Sequence, residues 1–207
     1  MIRYGDEGSL IARTIENARL FAGDGLKFPP VILFELSESG FAAAGCDGYA
    51  VGRDQLGEIY GGVFVQVSED DAETIEKSAR SLRRNRVDLA LSGSDLILSD
   101  GEREHSFLTM KPDERWPYVL DLLRPAEPAG TLPGVVAFAN ARLTRFGRVK
   151  TIREAPVDIR LEATEDGAPI ALFRIGPTFR GMLKAIDRDQ SARNVGEDQA
   201  QACFWQE

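Results

Sequence analysis

One helix followed by three short strands is predicted by residues 10–54, LIARTIENARLFAGDGLKFPPVILFELSESGFAAAGCDGYAVGRD. After Ser9, a candidate N-cap, apolar residues recur at the spacing of one helix face. Gly23 and the pair Pro29-Pro30 end this helix, because glycine is a poor helix former and proline lacks the amide hydrogen. The apolar runs 31–37, 41–46 and 49–54 are separated by turn residues, which is typical of consecutive antiparallel strands.

The same order of elements then repeats along the chain. A strand over 62–68 leads into a helix over 70–85, with Ser68 and Asp71 spaced as in a capping box. A third pass begins after a proline-rich connector, with the strand VVAFA at 135–139 and a helix over 140–152. Three further strands follow each of these helices, at 86–93, 95–101 and 104–110 in the second pass and at 156–164, 168–175 and 178–186 in the third. The sequence therefore predicts an α+β fold of three repeated β-α-β-β-β units.

This repeat predicts the domain organisation of the chain. Residues 1–111 hold two units and form one domain, and residues 112–134 are the connector. Residues 135–187 form a third half-domain, and the polar residues 188–207 are expected to be a flexible tail.

Composition excludes several classes of protein. The chain has 207 residues, of which 43% are hydrophobic and 28% charged, as in an ordinary globular protein. The apolar run around Val31–Leu36 is far shorter than a membrane span, and the N-terminus lacks a signal pattern, so we expect a cytoplasmic protein with no membrane partner. Two cysteines and one histidine argue against a disulfide framework and against a zinc centre.

Positive charge is concentrated in two segments of an acidic chain. Residues 77–86 and 142–153 carry ten Lys or Arg and no acid, whereas the net charge of the whole chain is −8. The remaining residues therefore carry −18. This distribution favours a protein that turns its positive charge toward one polyanionic partner. The alternative is that both segments are only solvated helix faces.

The predicted helices separate apolar from basic residues. In the helix over 70–85, Ala72, Ile75, Ala79 and Leu82 lie on one side, and the basic residues lie opposite. In the helix over 140–152, Ala139, Leu143 and Phe146 form the packing stripe. Rows of Lys and Arg without interleaved aromatic residues suit the phosphate backbone of duplex DNA, bound without sequence specificity. The candidate DNA-binding residues are Arg13, Lys77, Arg80, Arg83, Arg84, Arg142, Arg145 and Arg148.

Three motifs resemble those of the bacterial DNA polymerase III β sliding clamps. Residues 46–51, CDGYAV, are similar to the family's T-D-G-[HY]-R-L-A motif, with Thr, Arg and Leu replaced. Residues 111–116, KPDERW, resemble its F-P-D-Y junction. Residues 179–187, FRGMLKAID, resemble its closing strand, with Lys184-Ala185 where the family has Met-Pro.

The resemblance implies the DNA-clamp fold, with sheets outside and helices on one face. It also implies a ring whose helices line a channel around duplex DNA. The family's ring contains roughly a dozen such units, so about four chains of this length would close a circle. An odd number of units per chain requires half-domains to pair across chains. The chain is thus expected to be a shortened clamp, and its ratio of 20 Arg to 5 Lys suggests a phage or a high-GC bacterium.

The resemblance also implies a pocket for a short peptide of a polymerase or clamp loader. By position, its residues are Gly48, Tyr49, Val51 and Met182. The tail segment QACFW resembles a clamp-binding peptide through Gln201, Phe204 and Trp205. The alternative for this tail is an apolar terminal anchor.

Enzyme motifs are absent from the sequence, which has no nucleophile elbow, Walker loop or dinucleotide fingerprint. We therefore expect a protein without catalytic activity or cofactor: a processivity factor that encircles or holds duplex DNA and tethers a replicative polymerase. One alternative is a clamp-fold adaptor of the replisome that does not encircle DNA. The other is a metal-dependent nuclease whose scattered carboxylates converge in space.

Overall fold

The computed structural model describes residues 1–23, 27–82, 85–123, 136–151, 155–164 and 167–186. The helices are α1 (Gly8–Arg19), α2 (Glu69–Leu82), α3 (Trp116–Asp121) and α4 (Asn140–Phe146). The strands are β1 (Ile2–Glu7), β2 (Val31–Leu36), β3 (Gly40–Cys46), β4 (Ala50–Gly57), β5 (Val63–Ser68), β6 (Arg86–Ser92), β7 (Asp95–Ser99), β8 (Glu104–Leu108), β9 (Val157–Ala163), β10 (Pro169–Ile175) and β11 (Phe179–Lys184). No helix in this described part is long and apolar enough to cross a bilayer.

The first two units exchange their first strands. Sheet A has the order β1-β6-β7-β8, so the first strand of unit one pairs with the second unit. Sheet B contains the reciprocal pair, because β5 of unit two lies against β2 of unit one. Each unit therefore completes the sheet of the other.

Sheet B continues from the first unit into the third. Its order is β5-β2-β3-β4-β11-β10-β9, with all neighbours antiparallel. At the junction of β4 and β11, Val51 pairs with Met182 and Ala50 with Leu183. The third unit is thus joined to the first by the backbone hydrogen bonds between β4 and β11.

Helices α1 and α2 pack side by side against the inner face of sheet B. The apolar stripes of both helices share one core with Ile32, Phe34 and Leu36 of β2. Glycine allows this close approach, because a Cβ atom at Gly45 would lie 2.2 Å from the carbonyl oxygen of Ala18. Helix α3 packs on the opposite face, where Trp116 is buried with Leu33 of β2 and its neighbours.

Local signals explain where the second helix begins. The Ser68 hydroxyl accepts a hydrogen bond from the Asp71 N–H at 3.1 Å and donates one to the Asp71 carboxylate at 2.7 Å. Acidic residues in the first turn also suit the helix dipole. The predicted capping interaction is confirmed.

The third unit differs from its prediction in two places. The described residues 136–139 of the predicted strand VVAFA form no strand, although the Ala137 carbonyl accepts a hydrogen bond from the Ile186 N–H at 2.9 Å. Helix α4 ends at Phe146 rather than near residue 152. Beyond Gly147, the amide of Asn17 in α1 accepts from the Lys150 N–H at 2.8 Å and donates to the Lys150 carbonyl at 2.9 Å, which removes both groups from a helical ladder.

Candidate functional site

An apolar groove opens on the outer face of sheet B, where β4 meets β11. It encloses about 230 Å³. Gly48, Val51 and Met182, three of the four residues predicted to form the peptide pocket, line it together. The remaining lining residues are Lys27, Phe28, Cys46, Arg115, Tyr118, Val119, Leu122 and Lys184.

The turn before β4 is built around Asp47. One carboxylate oxygen accepts hydrogen bonds from the N–H groups of Tyr49 at 2.8 Å and Ala50 at 2.7 Å. Gly48 has φ of +86°, a left-handed conformation that favours glycine. This Asx-type turn sets the position at which the chain enters the groove wall.

The second carboxylate oxygen of Asp47 contacts helix α4. It accepts from Arg145 Nη1 at 2.8 Å and from Arg142 Nε at 3.2 Å. Burial acts to raise the pKa of Asp47, but the N–H groups of Ala50 and Tyr49 and the arginine charges outweigh it and hold the pKa below its ordinary value. Two of the predicted DNA-binding arginines thus join the third unit to the first.

Tyr49, the fourth residue predicted for the pocket, contacts two cationic side chains. Its ring has the Lys27 Nζ 4.0 Å from its centroid and the Arg142 guanidinium carbon at 4.1 Å. These cation–π contacts occupy the ring, and Tyr49 is not among the groove-lining residues.

The KPDERW motif and helix α3 form one wall of the groove. None of their residues is among those predicted for the peptide pocket. Arg115 donates to the Lys27 carbonyl at 2.9 Å and lies over the Phe28 ring at 4.4 Å. Its guanidinium also lowers the pKa of Asp113 to about 2. Trp116, 1% exposed, packs edge-on against Phe28. The sequence signal for this wall is the KPDERW motif, which the sequence analysis relates only to the F-P-D-Y junction.

The inner face of sheet B carries a layer of helices with its own network of ion pairs. Asn17 of α1 is bonded to the segment after α4, so α4, α1 and α2 follow one another across this face. The Glu16 carboxylate binds Arg80 of α2 and Lys150, each at 2.5 Å. Burial acts to raise the pKa of Glu16, but these two hydrogen-bonded cations hold it below its ordinary value.

The predicted DNA-binding residues of α1 and α2 lie in or near this network. Arg80 also binds Glu76 at 2.7 Å, and Lys77 pairs with Glu73 of its own helix. Both basic side chains still reach solvent, with 47% of Arg80 and 70% of Lys77 exposed. Arg13 is half-buried, and its Nε has no hydrogen-bond partner among the described residues.

The other predicted residues are distributed differently. Arg148 is exposed and forms no ion pair within the described ranges. Arg83 and Arg84 lie outside the described residues, as do the tail residues Gln201, Phe204 and Trp205. Six of the eight predicted basic residues are described, and four of these six, Lys77, Arg80, Arg142 and Arg145, have acidic partners.

Candidate catalytic groups are explained by local structure. In the ranges that the structure describes, no group of three or more His, Cys, Asp or Glu side chains is placed to hold a metal ion. Asp70 and Asp71 lie in the first turn of α2. Burial raises the pKa of the Cys46 thiol to about 11, which keeps this groove residue protonated at neutral pH.

Comparison with known proteins identifies the fold. No protein-family model and no curated protein matches the sequence. Among solved structures, the β subunit of DNA polymerase III from Thermotoga maritima matches with a TM-score of 0.65 and 13% identity, and the DNA polymerase sliding clamp from Bacillus subtilis with 0.65 and 11%. The Helicobacter pylori β clamp bound to a DNA ligase peptide matches with a TM-score of 0.57 and 8% identity.

These matches cover most of this chain but only part of the clamps. They span 90% of this chain, 65% of the first two clamps and 66% of the third. The arrangement of antiparallel sheets and helices is the same in kind, and the fold expected from the three motifs is confirmed. The chain has the α+β fold of the bacterial sliding clamps.

Proposed function

We propose that this chain is a sliding-clamp-like processivity factor that holds duplex DNA and tethers a polymerase. One observation carries the proposal: sheet B runs unbroken from β5 to β9, with a helical layer on its inner face and an apolar groove on its outer face. One protein can thus contact a long polyanion on one side and an apolar peptide on the other.

Support for DNA binding comes from the exposed basic side chains of the helical layer. Lys77, Arg80 and Arg148 reach solvent on it. Cations near phosphates favour binding through counterion release and read no base sequence. Encirclement by an assembly of chains would convert this weak contact into retention on circular DNA.

A plasmid-retention assay tests this half of the proposal. The chain is bound to nicked circular plasmid with Mg²⁺, passed over a sizing column, and the DNA is then linearised. We expect the protein to stay with the circle, to leave the linear form and to leave the DNA uncut. Protein that never co-elutes with the circle at low salt, or that cleaves it, overturns the proposal.

A charge reversal identifies the surface used. We expect Arg148→Glu to reduce retention, because Arg148 is exposed and no ion pair in the described ranges neutralises it. The matched control is Lys111→Glu, an exposed position in the segment that leads into α3 on the opposite face of sheet B. Equal effects of both variants would contradict the assignment to the helical layer.

Support for partner binding comes from the groove. Apolar side chains line it between cationic Lys27, Arg115 and Lys184, which suits a short peptide with bulky apolar residues and an acidic flank. The chain's own segment 198–207, DQAQACFWQE, has this chemistry and is a suitable probe.

Fluorescence anisotropy with this labelled peptide tests the groove. We expect saturable binding that Tyr118→Glu weakens at least tenfold, because Tyr118 is 60% exposed and lines the groove. Tyr60→Glu is the control, since Tyr60 is 73% exposed and lies beyond the far end of β4. A peptide that does not saturate, or that tolerates Tyr118→Glu, contradicts this site.

A second candidate function is an adaptor of the replisome that does not encircle DNA. It is favoured by the pairing of Arg80 with Glu16 and Glu76, which reduces the positive field of the helical layer. Peptide binding without retention on circular plasmid would support this candidate.

A further inference from the structure

Three arginines form a row across the outer face of sheet B, beside the groove. Arg53 of β4 lies opposite Arg180 of β11, and Arg180 lies opposite Arg174 of β10. Side chains that are directly opposite on neighbouring strands share one face. Arg180 also shares its face with Met182, which lies two residues further along β11 and lines the groove. These three residues are called the arginine row below.

Stability alone disfavours the arginine row. Like charges directly opposite on neighbouring strands repel, and Arg180 has such a neighbour on each side. Glu35 neutralises Arg53, since its carboxylate lies 2.8 Å from the guanidinium. Arg174 and Arg180 form no ion pair within the part of the chain that the structure describes. Burial and the charges of Arg174 and Arg53 hold the pKa of Arg180 below its ordinary value.

A second cavity opens beside the arginine row. It encloses about 370 Å³, and Arg174, Arg180 and Leu123 are among the residues that line it. Leu122, the residue before Leu123, lines the groove, so the groove and this cavity lie side by side at the end of α3. Two residues of a strand span about 7 Å, which is the separation of Arg180 from Met182 along β11. An extended peptide whose apolar residue contacts Met182 can therefore reach the arginine row with its second residue beyond that contact.

We propose that the arginine row binds an acidic side chain of the partner peptide, about two residues from the apolar side chains that enter the groove. A guanidinium group can donate two parallel hydrogen bonds to one carboxylate, and such charge-assisted bonds are stronger than neutral ones. A carboxylate between Arg174 and Arg180 supplies the ion-pair partner that these residues lack within the described chain. The inference deepens the proposed function and rests on it for the apolar part of the peptide.

Charges at both ends of the arginine row favour a short acidic segment over a nucleic acid. Glu35 binds Arg53 at one end, and the exposed Asp158 of β9 lies opposite Arg174 at the other. The row spans two strand spacings, about 10 Å, which leaves room for one or two anionic groups. The phosphates of a longer strand would approach both carboxylates, whereas a single Asp or Glu side chain avoids them.

Peptides that differ in one charge test the proposal by fluorescence anisotropy. The parent peptide is the chain's own segment 198–207 with both ends capped, and the two analogues carry Glu207→Gln or Asp198→Asn. Glu207 stands two residues after Trp205, as the spacing requires, whereas Asp198 stands six residues before Phe204. We expect Glu207→Gln to weaken binding at low salt by about fivefold or more, and Asp198→Asn to weaken it less.

Variants of the chain identify the cations involved. In the double variant Arg174→Gln/Arg180→Gln, the parent and the Glu207→Gln peptides are expected to bind equally. Arg103→Gln, at an exposed position before β8, removes a charge elsewhere and should keep the difference between the peptides. Equal binding of both peptides to the unmodified chain, or a double variant that still distinguishes them, overturns the proposal. If Tyr118→Glu weakens binding in that case, the proposed function stands without the arginine row.

A second measurement covers the cases in which no peptide enters the groove or the double variant misfolds. The arginine Nε–Hε signals of the ¹⁵N-labelled unmodified chain are recorded by NMR during titration with a capped hexaglutamate peptide, which has no apolar residue. We expect the signals of Arg174 and Arg180 to shift and that of Arg103 to stay.

Each outcome of this titration has a separate meaning. Unchanged signals of Arg174 and Arg180 overturn the proposal. Inorganic phosphate or duplex DNA that shifts them at a lower concentration than hexaglutamate overturns it as well. Shifts with hexaglutamate but no binding of the parent peptide support the arginine row and refute the peptide-binding part of the proposed function.

Discussion

The Asp47 side chain joins the turn before β4 to helix α4, where Arg142 lies 95 residues later in the sequence. It is 8% exposed and accepts hydrogen bonds from two backbone N–H groups and from two guanidinium groups. A buried carboxylate needs such partners to remain charged. The Asp47 side chain therefore stabilises both the turn before β4 and the contact of this turn with helix α4.

Replacing the carboxylate by an amide tests this dependence. In Asp47→Asn the side-chain oxygen still accepts from Tyr49 and Ala50, but the charge that holds Arg142 and Arg145 is lost. We expect a loss of about 1–3 kcal/mol in the free energy of unfolding, measured by urea denaturation. Arg103→Gln, an exposed position, is the control and should change stability little.

The same residue predicts the pH dependence of stability. Its pKa is lower in the folded chain than its ordinary value, so its stabilising contribution is complete above about pH 4 and is lost as the pH falls below that. The free energy of unfolding is expected to fall between pH 4 and the acid limit less steeply in Asp47→Asn than in the unmodified chain. Identical slopes would show that the carboxylate is not stabilised by folding.

At the scale of secondary-structure elements, close contacts between α1 and sheet B depend on glycine. A Cβ atom at Gly45 would lie 2.2 Å from the Ala18 carbonyl oxygen, and backbone cannot move aside as a side chain can. We expect Gly45→Ala to lower the free energy of unfolding by about 1–3 kcal/mol or more. The matched control is Gly147→Ala, where φ is −70° and the nearest atom lies at 3.5 Å, and a change within about 1 kcal/mol is expected by the same denaturation assay.

Elements set by local pattern were predictable from the sequence, and those set by distant contacts were not. Strands β2 to β4 and helix α2 follow from alternation, turns and the Ser68 cap. The early end of α4 does not, because Asn17 binds the backbone of Lys150 from 133 residues away. The apolar run 135–139 likewise predicts a strand, but a strand also needs a neighbouring edge, which local sequence does not specify, and the described residues 136–139 form none.

The candidate site also combines residues that the sequence predicts with contacts that it does not. Gly48, Val51 and Met182 converge where β4 pairs with β11, and the resemblance to the clamp motifs predicts this set by position. Other contacts join residues that are distant in the sequence. Tyr49 makes cation–π contacts with Lys27 and Arg142, and Arg80 forms an ion pair with Glu16. Helical periodicity could assign these cations to a face but could not identify their acidic partners.

At the scale of the whole molecule, the two ends of sheet B have unequal support. The β2 end is enclosed by α1, α2 and β5, whereas no residue of β9 belongs to a hydrophobic core cluster of the described residues. A domain whose parts are unequally buried opens first where burial is least. The β9 end should therefore be the least stable part of sheet B.

This inequality predicts the order in which the amide hydrogens of sheet B exchange. Because β9 adds no residue to a hydrophobic core cluster of the described chain, its backbone N–H groups are expected to exchange at least about tenfold faster than those of β2, which lies between β5 and β3. Hydrogen–deuterium exchange followed by mass spectrometry of peptides measures both strands in one sample. Equal protection of β9 and β2 would contradict the link between core burial and local stability in this sheet.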